Sequence, residues 1–164
     1  MQKSIIMDKR IIGCILVFLT LPCILTGCTN REPPNIEAME AYFQKNYDDI
    51  LLVTSFLIQQ EGSVHIDYDR DDFESWFDVK VPQKIKKTIM SLRENQRIVV
   101  SKRGNTIVYT IWIPDMTEKD CGIAFSINGT DIPEIEYATV ITSLSKPGWY
   151  YYVVDFNEWR LNNR

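Results

Sequence analysis

One histidine in 164 residues, seven glycines and no surplus of basic charge remove several chemistries at the outset. A Ser-His-Asp relay has only His65 to build on, and no serine sits in the glycine-flanked turn that exposes a nucleophile. No glycine-rich phosphate loop occurs. A formal charge of −4 argues against nucleic acid as a partner, because such partners are held by clustered lysine and arginine. Cysteine is scarce too: Cys14 and Cys23 lie inside an N-terminal apolar run and Cys28 ends it, leaving Cys121 as the one thiol of the remaining chain. No internal disulfide forms there. Cys121, beside Gly122, reads as a small buried hydrophobe.

What is present begins with targeting. Lys3, Lys9 and Arg10, softened by Asp8, precede a nearly uninterrupted apolar stretch over residues 11–25, the pattern of a secretory signal. At about 15 residues it falls short of the ~20 a spanning helix needs, and Pro22 interrupts it; an uncleaved signal anchor is the alternative. The stretch ends in Leu25-Thr26-Gly27-Cys28, which resembles the lipobox of bacterial lipoproteins. That resemblance covers residues 1–28 alone. It implies cleavage between Gly27 and Cys28, a diacylglyceryl thioether on the Cys28 sulfur, a further palmitate-class acyl chain on the freed amine, and a lipid-anchored place on the extracytoplasmic face of the cell membrane. Two or three chains suffice for stable anchoring at about 0.8 kcal/mol per buried methylene, whereas one is marginal. Beyond the lipobox the chain resembles, in general terms, small uncharacterised lipoproteins of Gram-positive bacteria. No cofactor is expected other than the covalent lipid.

Three parts follow: a cleaved signal peptide over 1–27, a lipidated tether over 28–35 and one domain over 36–164. Removing 1–27 takes Lys3, Lys9, Arg10 and Asp8 from 18 basic and 22 acidic side chains, leaving 15 against 21, a charge near −6. The remaining 137 residues suit a single domain with a proper core. Residues 29–35, polar and bearing Pro33 and Pro34, make an extended leash of some 20 Å at about 3 Å per residue.

Within the domain, Asn35 is placed to cap a helix carrying Glu37 and Glu40 in its first turn, with Ile36, Met39, Phe43, Tyr47, Ile50, Thr54 and Leu57 repeating at helical spacing to about Gln60. Residues 64–68 and 76–81 alternate like a strand pair around an acidic loop. Pro82 opens a second, shorter helix whose apolar stripe is Ile85, Ile89 and Leu92. Its outer face carries Lys84, Lys86, Lys87 and Arg93, basic enough to meet anionic lipid or a wall polyanion, though such runs are most often solvated. Residues 97–102 and 106–113 form the clearest hairpin, around Arg103-Gly104-Asn105. Further strands are expected over 122–128, 136–144 and 149–154, then a polar tail from Asp155. The aromatics of 149–152 suit core packing and cross-strand pairing more economically than a stacking platform for sugars. The sum is an α+β domain: an N-terminal helix and a shorter second one on a twisted antiparallel sheet of about five to seven strands. In shape alone it has a loose likeness to cystatin-like inhibitors.

Candidate sites are few. Asp67, Asp69, Asp71 and Asp78 mimic calcium-loop spacing, but Asp72 stands where the turn needs glycine, Asp78 replaces the bidentate glutamate, and the flanks alternate like strands. His65 reads as a surface strand residue. Paired carboxylates for an envelope-polymer hydrolase would be Asp69 with Glu74, or Glu118 with Asp120. The favoured expectation is a non-enzymatic binding module for a protein or envelope ligand; the alternatives are that hydrolase and an inhibitor or immunity-type lipoprotein.

Overall fold

Strands that alternate apolar and polar residues bury one face and leave the other wet. The computed structural model, which describes residues 32–69, 72–76, 79–93, 97–112, 119–129 and 131–162, joins such strands into one sheet with helices on its apolar face. Within the unit Pro33–Arg164 the elements are α1 (Ile36–Lys45), α2 (Tyr47–Ile58), β1 (Val64–Asp69), β2 (Asp72–Trp76), α3 (Gln83–Ser91), β3 (Arg97–Arg103), β4 (Thr106–Trp112), β5 (Lys119–Ser126), β6 (Ala138–Ser143), β7 (Trp149–Asp155) and α4 (Phe156–Asn162). The strand order is β2-β1-β3-β4-β5-β7-β6, and every neighbouring pair is antiparallel. The α+β class expected from the sequence is the class found. The signal segment and the lipobox lie outside the described residues.

The covered face holds the main core. Met39 and Phe43 from α1, Ile50, Val53 and Leu57 from α2, and Ile85 and Ile89 from α3 pack on Ile66, Val100, Ile107, Ile123, Trp149 and Tyr151 of the strands. Polar ties fix the layers. The Tyr109 hydroxyl, fully buried, donates to the Ile50 carbonyl (3.2 Å) and shares a 2.7 Å bond with the Thr54 hydroxyl. Tyr42 donates to the Leu92 carbonyl, tying α1 to the end of α3, and Tyr151 donates to Pro34 O at 2.6 Å. The buried Lys102 ammonium donates to the Gln60 carbonyl just past the end of α2, where orphan carbonyls and the helix dipole favour a cation.

Four local expectations need revision. The single N-terminal helix is two, broken at Asn46 (φ −109°, ψ 12°). Its side-chain amide donates to Tyr42 O at 2.9 Å, a local bond that competes with helix continuation. Asn35 does cap the first, accepting from Ala38 N at 2.9 Å. The second strand of the first hairpin is Asp72–Trp76, inside the stretch expected to be an acidic loop, whereas Val79 and Val81 pack on the core outside any strand. Strand β2 is a sheet edge, a position in which charged residues are commonly found. The expected polar tail is α4, which Asp155 begins by accepting from Glu158 N at 3.0 Å. That backbone bond, with the Lys119 ammonium 2.9 Å away, holds the Asp155 carboxyl below its ordinary range against the opposing effect of burial. Finally, the strand expected to start at 136 starts at Ala138, because Tyr137 takes a left-handed conformation (φ 63°).

One connection shapes the other face. Both β5 and β6 run antiparallel to β7, which lies between them, so they are parallel to each other. A parallel crossover must return along the strand length before the next strand begins. Residues 127–137 make that return, and Ile135 packs on Ala124, Tyr150 and Tyr152 of the face opposite the helices.

Candidate binding groove on the open sheet face

Alternation sends Ile107, Tyr109 and Ile111 of β4 toward the helices and sets Thr106, Val108 and Thr110 on the open face. The β4–β5 register then aligns Val108 with Ala124 and Thr110 with Gly122, and the β5–β7 register aligns Gly122 with Tyr152 and Asp120 with Val154. The crossover strap does not close over this surface completely. Between strap and strands runs a groove of about 990 Å³, from Arg103 at the end of β3 and Asn105 in the β3–β4 turn to Asp120 at the start of β5. Its floor and inner wall include Val108, Ile141, Tyr152, Val154 and Ile135.

The polar groups in it are sparse and individually placed. Tyr152, 1% exposed, donates its hydroxyl to Thr110 Oγ1 at 2.8 Å, and burial pushes its phenol above the ordinary tyrosine range, so it stays a neutral donor. Asp120 is half-buried; burial raises its carboxyl above the usual carboxylate range, and the Arg97 charge opposes that shift. Arg97 is itself engaged: Nε donates to Asp67 Oδ1 at 3.0 Å and the guanidinium's other arm holds Asp67 Oδ2. Among the described residues the Asp120 carboxylate has no hydrogen bond or ion pair of its own. At the opposite end Arg103 approaches Glu136 of the strap at 3.9 Å, both well exposed. Asp131 and Glu134 also line the strap side, so the groove is acidic.

The strap is fastened at its far end by an aromatic cluster. The Tyr137 ring lies 4.4 Å from Phe156 and 4.7 Å from Trp159, both on α4. A non-glycine residue in the left-handed region costs on the order of 1 kcal/mol. Two aromatic contacts of about 0.5–1.5 kcal/mol each offset that cost.

The residues singled out in the sequence are distributed differently. Asp67 is consumed by Arg97. Asp69 pairs with Asp72 across the β1–β2 ladder and Glu74 stands opposite Asp67, so strand pairs occupy what calcium binding would need as a loop; Asp71 and Asp78 lie outside the described residues. Among the described residues no three His, Cys, Asp or Glu side chains gather as a metal would require. His65 is a half-buried residue of β1, on the open side, and burial lowers its imidazole below the ordinary value. Glu118 lies outside the described residues, while its proposed partner Asp120 is in the groove. Trp149, Tyr150, Tyr151 and Tyr152 are all buried, two on each face, and offer no exposed platform. Cys121 is fully buried, and burial with the Asp120 charge beside it pushes its thiol up to about 12. The groove's Thr110, Tyr152 and strap were not found from sequence, because they meet only through the β5–β7–β6 order. The one local signal was the run of acids flanking Pro133.

No family model, curated protein or solved structure matches this chain.

Proposed function

We propose that this protein is a lipid-anchored extracytoplasmic binding module whose open-face groove holds an envelope ligand. The anchor rests on the lipobox-like Leu25-Thr26-Gly27-Cys28. The observation that carries the binding role is the groove itself: about 990 Å³, at the upper end of the size range of small-molecule sites, with an apolar floor and a few fixed polar groups, the usual make-up of such sites. The leash after Cys28 keeps that groove near the bilayer.

Two measurements test this. Metabolic labelling with a fatty-acid probe marks the wild-type chain and not Cys28→Ala, and N-terminal mass spectrometry finds Cys28 first. A photo-crosslinking residue at Ile132, 69% exposed on the strap, traps a discrete species in intact cells, whereas one at Leu161, 70% exposed on α4, does not. Identical patterns at the two positions would sink the groove's role. A second reading, the envelope-polymer hydrolase, draws on Asp120, whose raised carboxyl suits a general acid. Loss of polymer cleavage in Asp120→Asn would favour it, and unchanged polymer with the wild-type protein would end it.

A further inference from the structure

We infer that the groove's ligand is a small amine: an ammonium group seated at Asp120, carried on an apolar chain that lies along Val108, Val154 and Ile141 beneath the strap. This rests on the groove being a binding site, and it adds the chemistry of what binds.

Charge complementarity gives the sign. The ionisable lining residues are Asp120, Asp131, Glu134 and Glu136 against a single Arg103, and no lysine lines the groove. Arg103 meets Glu136 at 3.9 Å, and Arg97, whose charge acts on Asp120, already holds both oxygens of Asp67. An anionic ligand would therefore find no uncommitted cation among the described lining residues, and would meet three or four carboxylates. A neutral ligand offers at most an uncharged donor to Asp120, which is half-buried and among the described residues has no hydrogen bond or ion pair. A cation offsets the desolvation of that carboxylate most strongly, adding a charge-assisted hydrogen bond to the opposing effect of the Arg97 charge.

The apolar chain follows from the floor. Val108, Val154, Ile141 and the Tyr152 ring form a continuous hydrophobic surface leading away from Asp120. The Tyr152 hydroxyl is directed into Thr110, so this part of the floor recognises shape more than polarity. Small inorganic cations would gain nothing from such a floor, and metal binding would need further ligating side chains that the described residues do not gather there.

The experiment uses the full chain in nanodiscs of neutral lipid, with empty discs as blank. Three dansyl probes differ only at the end of a five-carbon chain: ammonium, hydroxyl or carboxylate. Equilibrium dialysis is expected to give the ammonium probe an affinity at least about tenfold above the hydroxyl probe, the size of one good hydrogen bond to a charge, with the carboxylate probe weakest. Asp120→Asn removes the ammonium preference while leaving the hydroxyl probe's binding in place, which also shows that the variant is folded. Glu136→Gln, an exposed change, releases Arg103; it weakens the ammonium probe and strengthens the carboxylate probe. Equal binding of all three probes, or an ammonium preference untouched by Asp120→Asn, would overturn the amine assignment and leave the groove as a binding site. Failure of every probe to bind above the blank would overturn both.

Discussion

At position 122 a single methyl group decides whether β4 and β5 can meet. A Cβ built on Gly122 would stand 1.8 Å from the Tyr109 carbonyl oxygen, next to the register shift between Thr110 and Trp112. Backbone cannot yield as the tip of a flexible side chain can. Gly122→Ala should lower stability by about 1–3 kcal/mol, the usual cost of overpacking, and chemical denaturation would measure it as a lower midpoint with an unchanged slope. The neighbouring residue makes a different prediction. With its thiol up near 12, Cys121 has almost no thiolate at pH 8, and thiolate is the reactive form. Maleimide should label position 121 only after denaturant is added, as read by peptide mass spectrometry. The sequence already pointed to a buried, inert Cys121. It held no sign that Gly122 marks a close backbone approach, because that depends on the bulge in a partner strand.

Among the elements, the strap and α4 depend on each other. Tyr137 gives up backbone comfort (φ 63°) so that its ring can pack against Phe156 and Trp159. Tyr137→Gly relieves the backbone and removes both ring contacts, so the two effects largely cancel globally; a net loss of about 1 kcal/mol is expected. Local behaviour should change more. Amide exchange over 131–137 should quicken in this variant while that of β4 and β5 stays put, and equal acceleration throughout would mean that the ring cluster supports the whole domain. The hairpin of β3 and β4 was legible because its turn, its β-branched runs and its pairing are all local. Helix α1 was legible from its cap and spacing. Its separation from α2 at Asn46 was not, because the apolar stripe continues from Phe43 to Ile50 across the break and the interruption comes from one side-chain bond to Tyr42 O.

Taken as a whole, the molecule has a sheet with two unlike faces, and that much follows from alternation in the strands. What alternation leaves open is order. The strands at 122–128, 136–144 and 149–154 were each expected from composition, yet nothing in them says that the last inserts between the other two. That insertion makes β5 and β6 parallel and lays 127–137 along the open face, so the groove and the company Asp120 keeps were the least readable part of the chain. The first hairpin misled for a related reason. Charged residues read as loop unless one knows that the strand carrying them is an edge, and that Arg97 on the adjacent strand engages Asp67.

The two most deeply buried phenols, Tyr109 and Tyr152, give the fold an optical signature in alkali. Both lie at full burial with ionisation pushed well above the ordinary value by desolvation, against the opposing effect of the hydrogen bonds shared with Thr54 and Thr110. Each stays protonated in the folded chain and ionises once unfolded near the free tyrosine value of about 10. The stability each supplies is therefore intact below that value and lost as pH rises through the folded pKa, at about 1.4 kcal/mol per pH unit per phenol above about 10. Absorbance near 295 nm should thus rise in two stages. The more accessible of the eight tyrosines ionise reversibly first, and a later, slower step then appears whose rate is that of unfolding itself. On the return to neutrality that second stage should show hysteresis, making ultraviolet absorbance a clock for how long the helix layer stays seated on the sheet.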